Sequence, residues 1–188
     1  MRALLHETAA LTDADLLLVF WSGHGTTDAN GSQYLLTADE TAWPGVSLDE
    51  LLRRFRSPQV GTCEEQFWFI DACTTARAPG QEEVRPEPPT PGDVLPGLRY
   101  PRRRQYVYMA SGPEDHAVEE PGRGGLFSLQ LIEALREVRP WDADAPSALY
   151  EMVRERIARQ RGDGRTRQTP VFVHYGGQRP PDDSAGRR

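Results

Sequence analysis

Two residues able to do chemistry together each follow an apolar run. "DLLLVFWSGHG", Asp15 to Gly25, delivers His24, and "EQFWFIDAC", Glu65 to Cys73, delivers Cys73. Imidazole takes and returns protons near neutral pH, and a thiol that yields its proton to such a base becomes a nucleophile toward a carbonyl carbon. An apolar run ending in Ser22-Gly23-His24-Gly25 holds the base at a fixed place, and the glycines clear space around it. Singly, each residue has an ordinary reading. A histidine at a strand end can be structural, and a lone cysteine is most often a small buried hydrophobe.

The pair gains meaning from the elements that must position it. "DLLLVFWS", "EQFWFIDA", "RQYVYMAS" and "TPVFVHY" read as strands, and their nearly continuous apolar character is that of strands covered on both faces. "SLDELLRRF" opens with Ser47 and places Glu50 three residues later, a capping box that leads into Leu51, Leu52 and Phe55. "GLFSLQLIEALREV" is read as a helix with its stripe on Leu126, Leu129, Ile132 or Glu133, and Leu135 to Val138. "SALYEMVRERIARQ" carries a stripe of Leu149, Met152, Val153 and Ile157. Asn30-Gly31 ahead of an apolar run signals a hairpin. Strand and helix alternate, so the class is α/β with a mostly parallel sheet. In such sheets ligands bind beyond the carboxyl ends of the strands, and adjacent parallel strands would carry His24 and Cys73 to neighbouring loops.

The 188 residues fit one domain with a sizeable core. All 22 basic residues are Arg, scattered except for the run Arg102 to Arg104, and the net charge is −6, which gives no reason to expect nucleic acid. Two cysteines are no disulfide framework, and neither has a further Cys or His at metal-ligand spacing, so zinc is not expected. No stretch approaches the roughly 20 apolar residues of a membrane span, and the amphipathic start lacks the apolar core of a signal peptide. The expected setting is the reducing cytoplasm, with no membrane partner. From Arg77 to Arg104 the proline density removes backbone donors and leaves an exposed, disordered loop. The tail 177–188 reads as a disordered end or linker.

A strand ending in His-Gly, followed by one ending in Asp71-Ala72-Cys73, resembles the caspase and metacaspase clan of cysteine peptidases. Caspases carry Gln-Ala-Cys with the histidine about 50 residues upstream, and here the separation is 49 residues. "QYVYMASGPEDHAVEE", "GGLFSLQLIEAL" and "RQTPVFVHY" resemble the strand, helix and last strand that follow in the clan, in the same order. The similarity runs from about Thr12 to Tyr175. The resemblance implies a caspase-like three-layer sandwich over 1–176, of prokaryotic type, with a Cys73–His24 dyad acting on a protein or peptide substrate. It also implies an oxyanion site at the amides of Gly25 and Cys73.

One position departs from caspases toward metacaspases. Caspases have Gln where this chain has Asp71, and they cut after aspartate; metacaspases have Asp there and cut after Arg or Lys. A carboxylate on a pocket wall favours a guanidinium and repels a substrate aspartate, so Asp71 is read as the substrate partner, with Ser22 lining the same pocket as in metacaspases. Asp71 has a second reading, as the cap of a turn. The Pro-rich loop falls where the family has its inter-subunit linker, and Arg99, Arg102, Arg103 and Arg104 there are candidates for self-cleavage. Cys63 is read as a bystander; His6, His116 and His174 are assigned nothing; Glu119 and Glu120 are read as solvated, although the clan the chain resembles often has a carboxylate in this turn. No cofactor is expected. Some metacaspases need calcium, but the acidic residues here form no ordered ligand set.

The clan's sheet begins with a strand, a helix and a second strand before the histidine strand, where this chain has only "MRALLHETAALTD", read as one helix. "DLLLVFWS" is therefore expected at an unpaired edge of buried character, covered by an upstream segment or by a partner chain. A non-catalytic scaffold that recruits a partner through that edge is the alternative to the peptidase.

Overall fold

The computed structural model describes residues 14–28, 30–36, 45–56, 63–74, 103–112, 115–142, 144–164 and 166–176. The start through residue 13, positions 77–102 of the Pro-rich stretch and the tail from 177 lie outside the described residues.

The four apolar runs form the central sheet: β1 (Leu16–Ser22), β5 (Glu65–Asp71), β6 (Arg104–Met109) and β9 (Val171–Tyr175), in the order β1-β5-β6-β9. β1, β5 and β6 are parallel, and β9 runs antiparallel to β6. β2 (Gly25–Thr27), β3 (Gln33–Leu35) and β4 (Val46–Ser47) make a small antiparallel sheet, and β7 (Glu119–Glu120) pairs with β8 (Gly124–Gly125). The described helices are α1 (Leu48–Phe55), α2 (Leu126–Leu135) and α3 (Ala145–Gly162).

Period-two alternation along β5 explains the layers. Phe67 and Phe69 face Phe127, Leu131, Leu149, Val153 and Ile157 of α2 and α3. Trp68 and Ile70 face Leu48, Leu51, Leu52 and Phe55 of α1. β5 is buried from Gln66 to Asp71, so an apolar residue suits every position but the ends. Trp68 is wholly buried, its ring edge-on to Phe55 at 5.0 Å between centroids. Truncation there would cost about 3–5 kcal/mol.

β1 departs from the expectation that every sheet strand is covered twice. Leu17, Val19 and Trp21 pack on the α1 side. Leu18 and Phe20, on the face of α2 and α3, stand 51% and 54% exposed. Among the described residues β1 pairs with β5 alone, at the sheet edge.

α2 also differs in phase from its expected stripe. Leu126, Phe127, Leu131 and Ala134 are buried, while Ile132 is 49% exposed. "LFSLQLIEAL" has apolar residues around most of its circumference, so periodicity admits more than one stripe and packing on Phe67 and Phe69 selects among them. α3 keeps its expected face, with Leu149, Val153 and Ile157 buried.

α1 is fixed at both ends. The Ser47 hydroxyl accepts from the Glu50 amide at 3.3 Å, as the capping box requires. At the other end the orphan carbonyls meet buried polar side chains from the starts of β5 and β6. Gln66 Nε2 and Arg103 Nη1 donate to Phe55 O at 2.8 and 2.9 Å, and Gln105 Nε2 donates to Leu52 O at 3.0 Å. Arg104 opens β6 in an ion pair with Glu65 at 2.5 Å.

Candidate active site

The parallel register carries the chemistry to one edge. Ser22 ends β1 directly opposite Asp71, which ends β5, and the Gly23 amide continues the ladder by donating to Asp71 O at 3.1 Å. Two residues beyond the end of β1 stands His24, and two beyond the end of β5 stands Cys73. His24 and Ser22 are exposed and Cys73 is half-buried. The neighbours of Cys73 are fixed: Ala72 is 1% and Thr74 5% exposed.

After His24 the chain turns across the Cys73 loop. A Cβ added to Gly25 would lie 2.5 Å from Cys73 O and 3.1 Å from Ala72 Cβ, so any side chain there would force the two loops apart. The Thr27 hydroxyl donates to Thr74 O at 2.5 Å, and Leu36 N donates to His24 O at 2.9 Å, which ties the histidine loop to β3. Ser111, beyond β6, donates its hydroxyl to Ala72 O at 3.3 Å. The loops bearing the thiol and the imidazole are thus neighbours at the carboxyl edge, in contact through their backbones.

Asp71 is 5% exposed and caps the helix that faces it. The N-cap of α2 is Gly125, which has no side chain to satisfy the first turn. Asp71 Oδ2 does so instead, accepting from Ser128 N at 3.1 Å and from the Ser128 hydroxyl. A Cβ on Gly125 would fall on that carboxylate. The capping reading of Asp71 therefore holds, and the partner is a helix rather than a turn. Burial pushes the Asp71 carboxyl up, the Ser128 hydrogen bonds oppose that, and the Glu119 charge adds to the rise.

Glu119 lies opposite Gly125 in the β7–β8 ladder. It is exposed, as a solvated side chain should be, yet its charge acts on Asp71. Ala117 O lies 3.7 Å from Cys73 Sγ, so the segment leading into β7 borders the thiol. Ser128 is the residue beside this edge that pattern reading passes over; Glu119 is singled out by it but read as solvated. A glycine at a helix start, which leaves the cap to another segment, was the available signal for Ser128.

Cys63 lies away from this edge, at the residue before Glu64 and β5; it is buried, its thiol donates to Glu65 O at 3.0 Å, and burial pushes the thiol up. His174 stacks on Tyr106 in β6, with ring centroids 4.7 Å apart. His116 is exposed. Arg103 is 2% exposed and Arg104 lies within β6, so both are held in the fold; Arg99 and Arg102 lie outside the described residues. Among the described residues no three His, Cys, Asp or Glu side chains group as metal ligands, and no helix is long and apolar enough to cross a membrane.

Comparison with known proteins agrees with this architecture. The family model for the caspase domain matches residues 1–176. A probable protease from a Desulfuromonadales bacterium is 26% identical over 185 aligned positions, which take in 86% of this chain and 21% of that protein. The chain thus spans about a fifth of that relative's length. Among solved structures, caspase-1 from Spodoptera frugiperda superposes with a TM-score of 0.60 at 19% identity, over 93% of this chain and 65% of that one. Protein GSU0716 from Geobacter sulfurreducens superposes with a TM-score of 0.59 at 14% identity, over 95% of this chain and 73% of that one. At such identities the superpositions establish a shared fold.

Proposed function

The chain belongs to the caspase-domain family, and from that premise we propose that it is a cysteine endopeptidase that cuts peptide bonds after Arg or Lys. Cys73 is the nucleophile and His24 the proton shuttle. The observation that carries the reading is the approach of the two loops at one sheet edge, with Gly25 packed on the Cys73 carbonyl.

In the proposed reaction His24 takes the Cys73 thiol proton and Sγ attacks the scissile carbonyl carbon. The amides of Gly25 and Cys73 hold the oxyanion. The tetrahedral adduct collapses as His24 passes the proton to the leaving amine, which leaves a thioester on Cys73. A water molecule, deprotonated by His24, attacks the thioester and frees the acid and the thiol. No step needs a metal or an organic cofactor, and calcium would enter only as a regulator.

Specificity is assigned to charge. Asp71, two residues before Cys73, and Glu119, whose charge reaches Asp71 from across Gly125, supply two carboxylates on this edge. Such a pair favours a guanidinium or ammonium group and disfavours a substrate aspartate; Ser22 is assigned to the same pocket, a role supported by its place opposite Asp71 in register. Self-cleavage, if the enzyme activates itself, falls at Arg99 or Arg102, because Arg103 and Arg104 are held by burial and strand pairing. Two free thiols suit a reducing cytoplasm. A fluorogenic peptide ending in Arg tests the reading. Wild-type protein should release the fluorophore, and Cys73→Ala and His24→Ala should not; equal signal from all three would defeat the proposal.

The uncovered face of β1 favours a second reading. Leu18 and Phe20 offer apolar surface on an edge strand, which suits a scaffold that recruits a partner by strand addition. Peptide cleavage that depends on Cys73 would rule out a purely scaffolding role.

A further inference from the structure

The structure assigns to Ser128 the task of holding the Asp71 carboxylate ionised and aimed at the substrate, an inference that rests on the reading of Asp71 as partner of a basic side chain. Two forces act against a charged Asp71. It is 5% exposed, and Glu119 on β7 places a like charge near it. A carboxyl that gave way to these forces would be neutral and would lose its attraction for a guanidinium. The opposing force is local: Ser128 gives Oδ2 both its backbone N–H, at 3.1 Å, and its hydroxyl, and it does so in the first turn of α2, where the helix dipole favours negative charge.

The same contacts fix orientation. Both hydrogen bonds described for this carboxylate fall on Oδ2, which pins that oxygen to the first turn of α2 and, on the reading of Asp71 as substrate partner, assigns Oδ1 to the substrate. The absent side chain at Gly125 makes this possible, because a Cβ there would occupy the place of the carboxylate. Ser128 is therefore a positioning residue: it acts on the substrate only through Asp71, and the N-terminus of α2 is part of the specificity pocket.

The test compares two peptides that differ only before the scissile bond, one with Arg and one with citrulline, its neutral isostere, on the full chain. Wild-type enzyme should prefer Arg. Ser128→Ala should cut kcat/KM for the Arg peptide by about tenfold, mainly through KM, and leave the citrulline peptide within about twofold. Ser128→Thr, which keeps the hydroxyl, should restore the Arg preference, and Ser128→Cys carries the same comparison if the alanine variant fails to fold. Equal losses on both peptides, or none, would overturn the positioning role while leaving Asp71 in place. Wild-type enzyme that cuts both peptides equally would overturn the reading of Asp71 and this inference with it.

Discussion

Cys73 must be reachable and still at once, and its surroundings meet both demands: the thiol is half-buried between two buried residues whose carbonyls accept hydroxyls from Ser111 and Thr27. Cys63 is the contrast, 8% exposed and bonded to Glu65 O, with burial holding its thiol in the neutral form. Under limiting iodoacetamide, mass spectrometry should find Cys73 carbamidomethylated at least tenfold faster than Cys63. Gly25→Ala would place a methyl group 2.5 Å from Cys73 O. It should lower kcat for an Arg peptide at least tenfold while circular dichroism stays native. In the proposed reaction Asp71 should supply the pH dependence. Burial pushes its carboxyl up, so it takes on a proton above the usual carboxylate range, and cleavage after Arg should decline as pH falls into that range. With Asp71→Asn the decline should vanish along with the Arg preference. Linkage gives stability the opposite sign: the native state holds this proton more tightly than the unfolded chain, so protonation of Asp71 adds stability as pH falls between the raised and the ordinary value. Residue types alone pointed to Cys73 and His24. For Ser128 they offered only a glycine at a helix start, a sign that the cap comes from elsewhere, and could not name the carboxylate 57 residues away that supplies it.

Elements were legible where one period had one solution. The run into Asp71 is apolar throughout because β5 is buried on both faces, and the Ser47 cap announced α1 because a helix start needs an acceptor at that position. α2 was legible as a helix but not in rotation, since Leu129, Ile132 and Leu135 offer a stripe nearly as apolar as the buried Phe127, Leu131 and Ala134. The polar clamp on α1 had no sequence signal, because glutamines at the starts of strands look like solvated ends. Gln66 and Gln105 are wholly buried, joined at 2.7 Å, and donate to the last turn of α1. Gln66→Leu would strand a donor of Gln105 and weaken the cap on Phe55 O, at a cost of about 1–3 kcal/mol. The double variant Gln66→Leu, Gln105→Leu should cost less than the sum of the single changes, because it removes both partners of one bond. Urea unfolding of the three variants measures this, and strict additivity would mean that the pair is uncoupled.

The sheet as a whole has two unlike ends. β9 lies at one end, antiparallel to β6 and likewise paired on one side among the described residues, but covered by α3, with Phe172 stacked against Tyr150. At the other end β1 pairs with β5 alone among the described residues; Leu16 packs against the core of α2 and α3, but Leu18 and Phe20 on the same face lie half open. The sequence showed that this strand has the composition of a covered one, and the mismatch between composition and cover is the physical content of the edge: apolar side chains on a strand with free backbone groups are a template for another chain. These side chains point to the face opposite Leu17, Val19 and Trp21 and do not belong to the loops at Ser22 and His24. Cohesion and catalysis should therefore separate. Wild-type protein should self-associate in sedimentation velocity and a variant with both Leu18 and Phe20 replaced by Lys should run as a monomer, while cleavage of an Arg peptide should remain within about twofold, since exposed substitutions away from special features change stability by only about 0.5 kcal/mol. Loss of cleavage in a folded, monomeric double variant would mean that assembly through β1 is needed to complete the site.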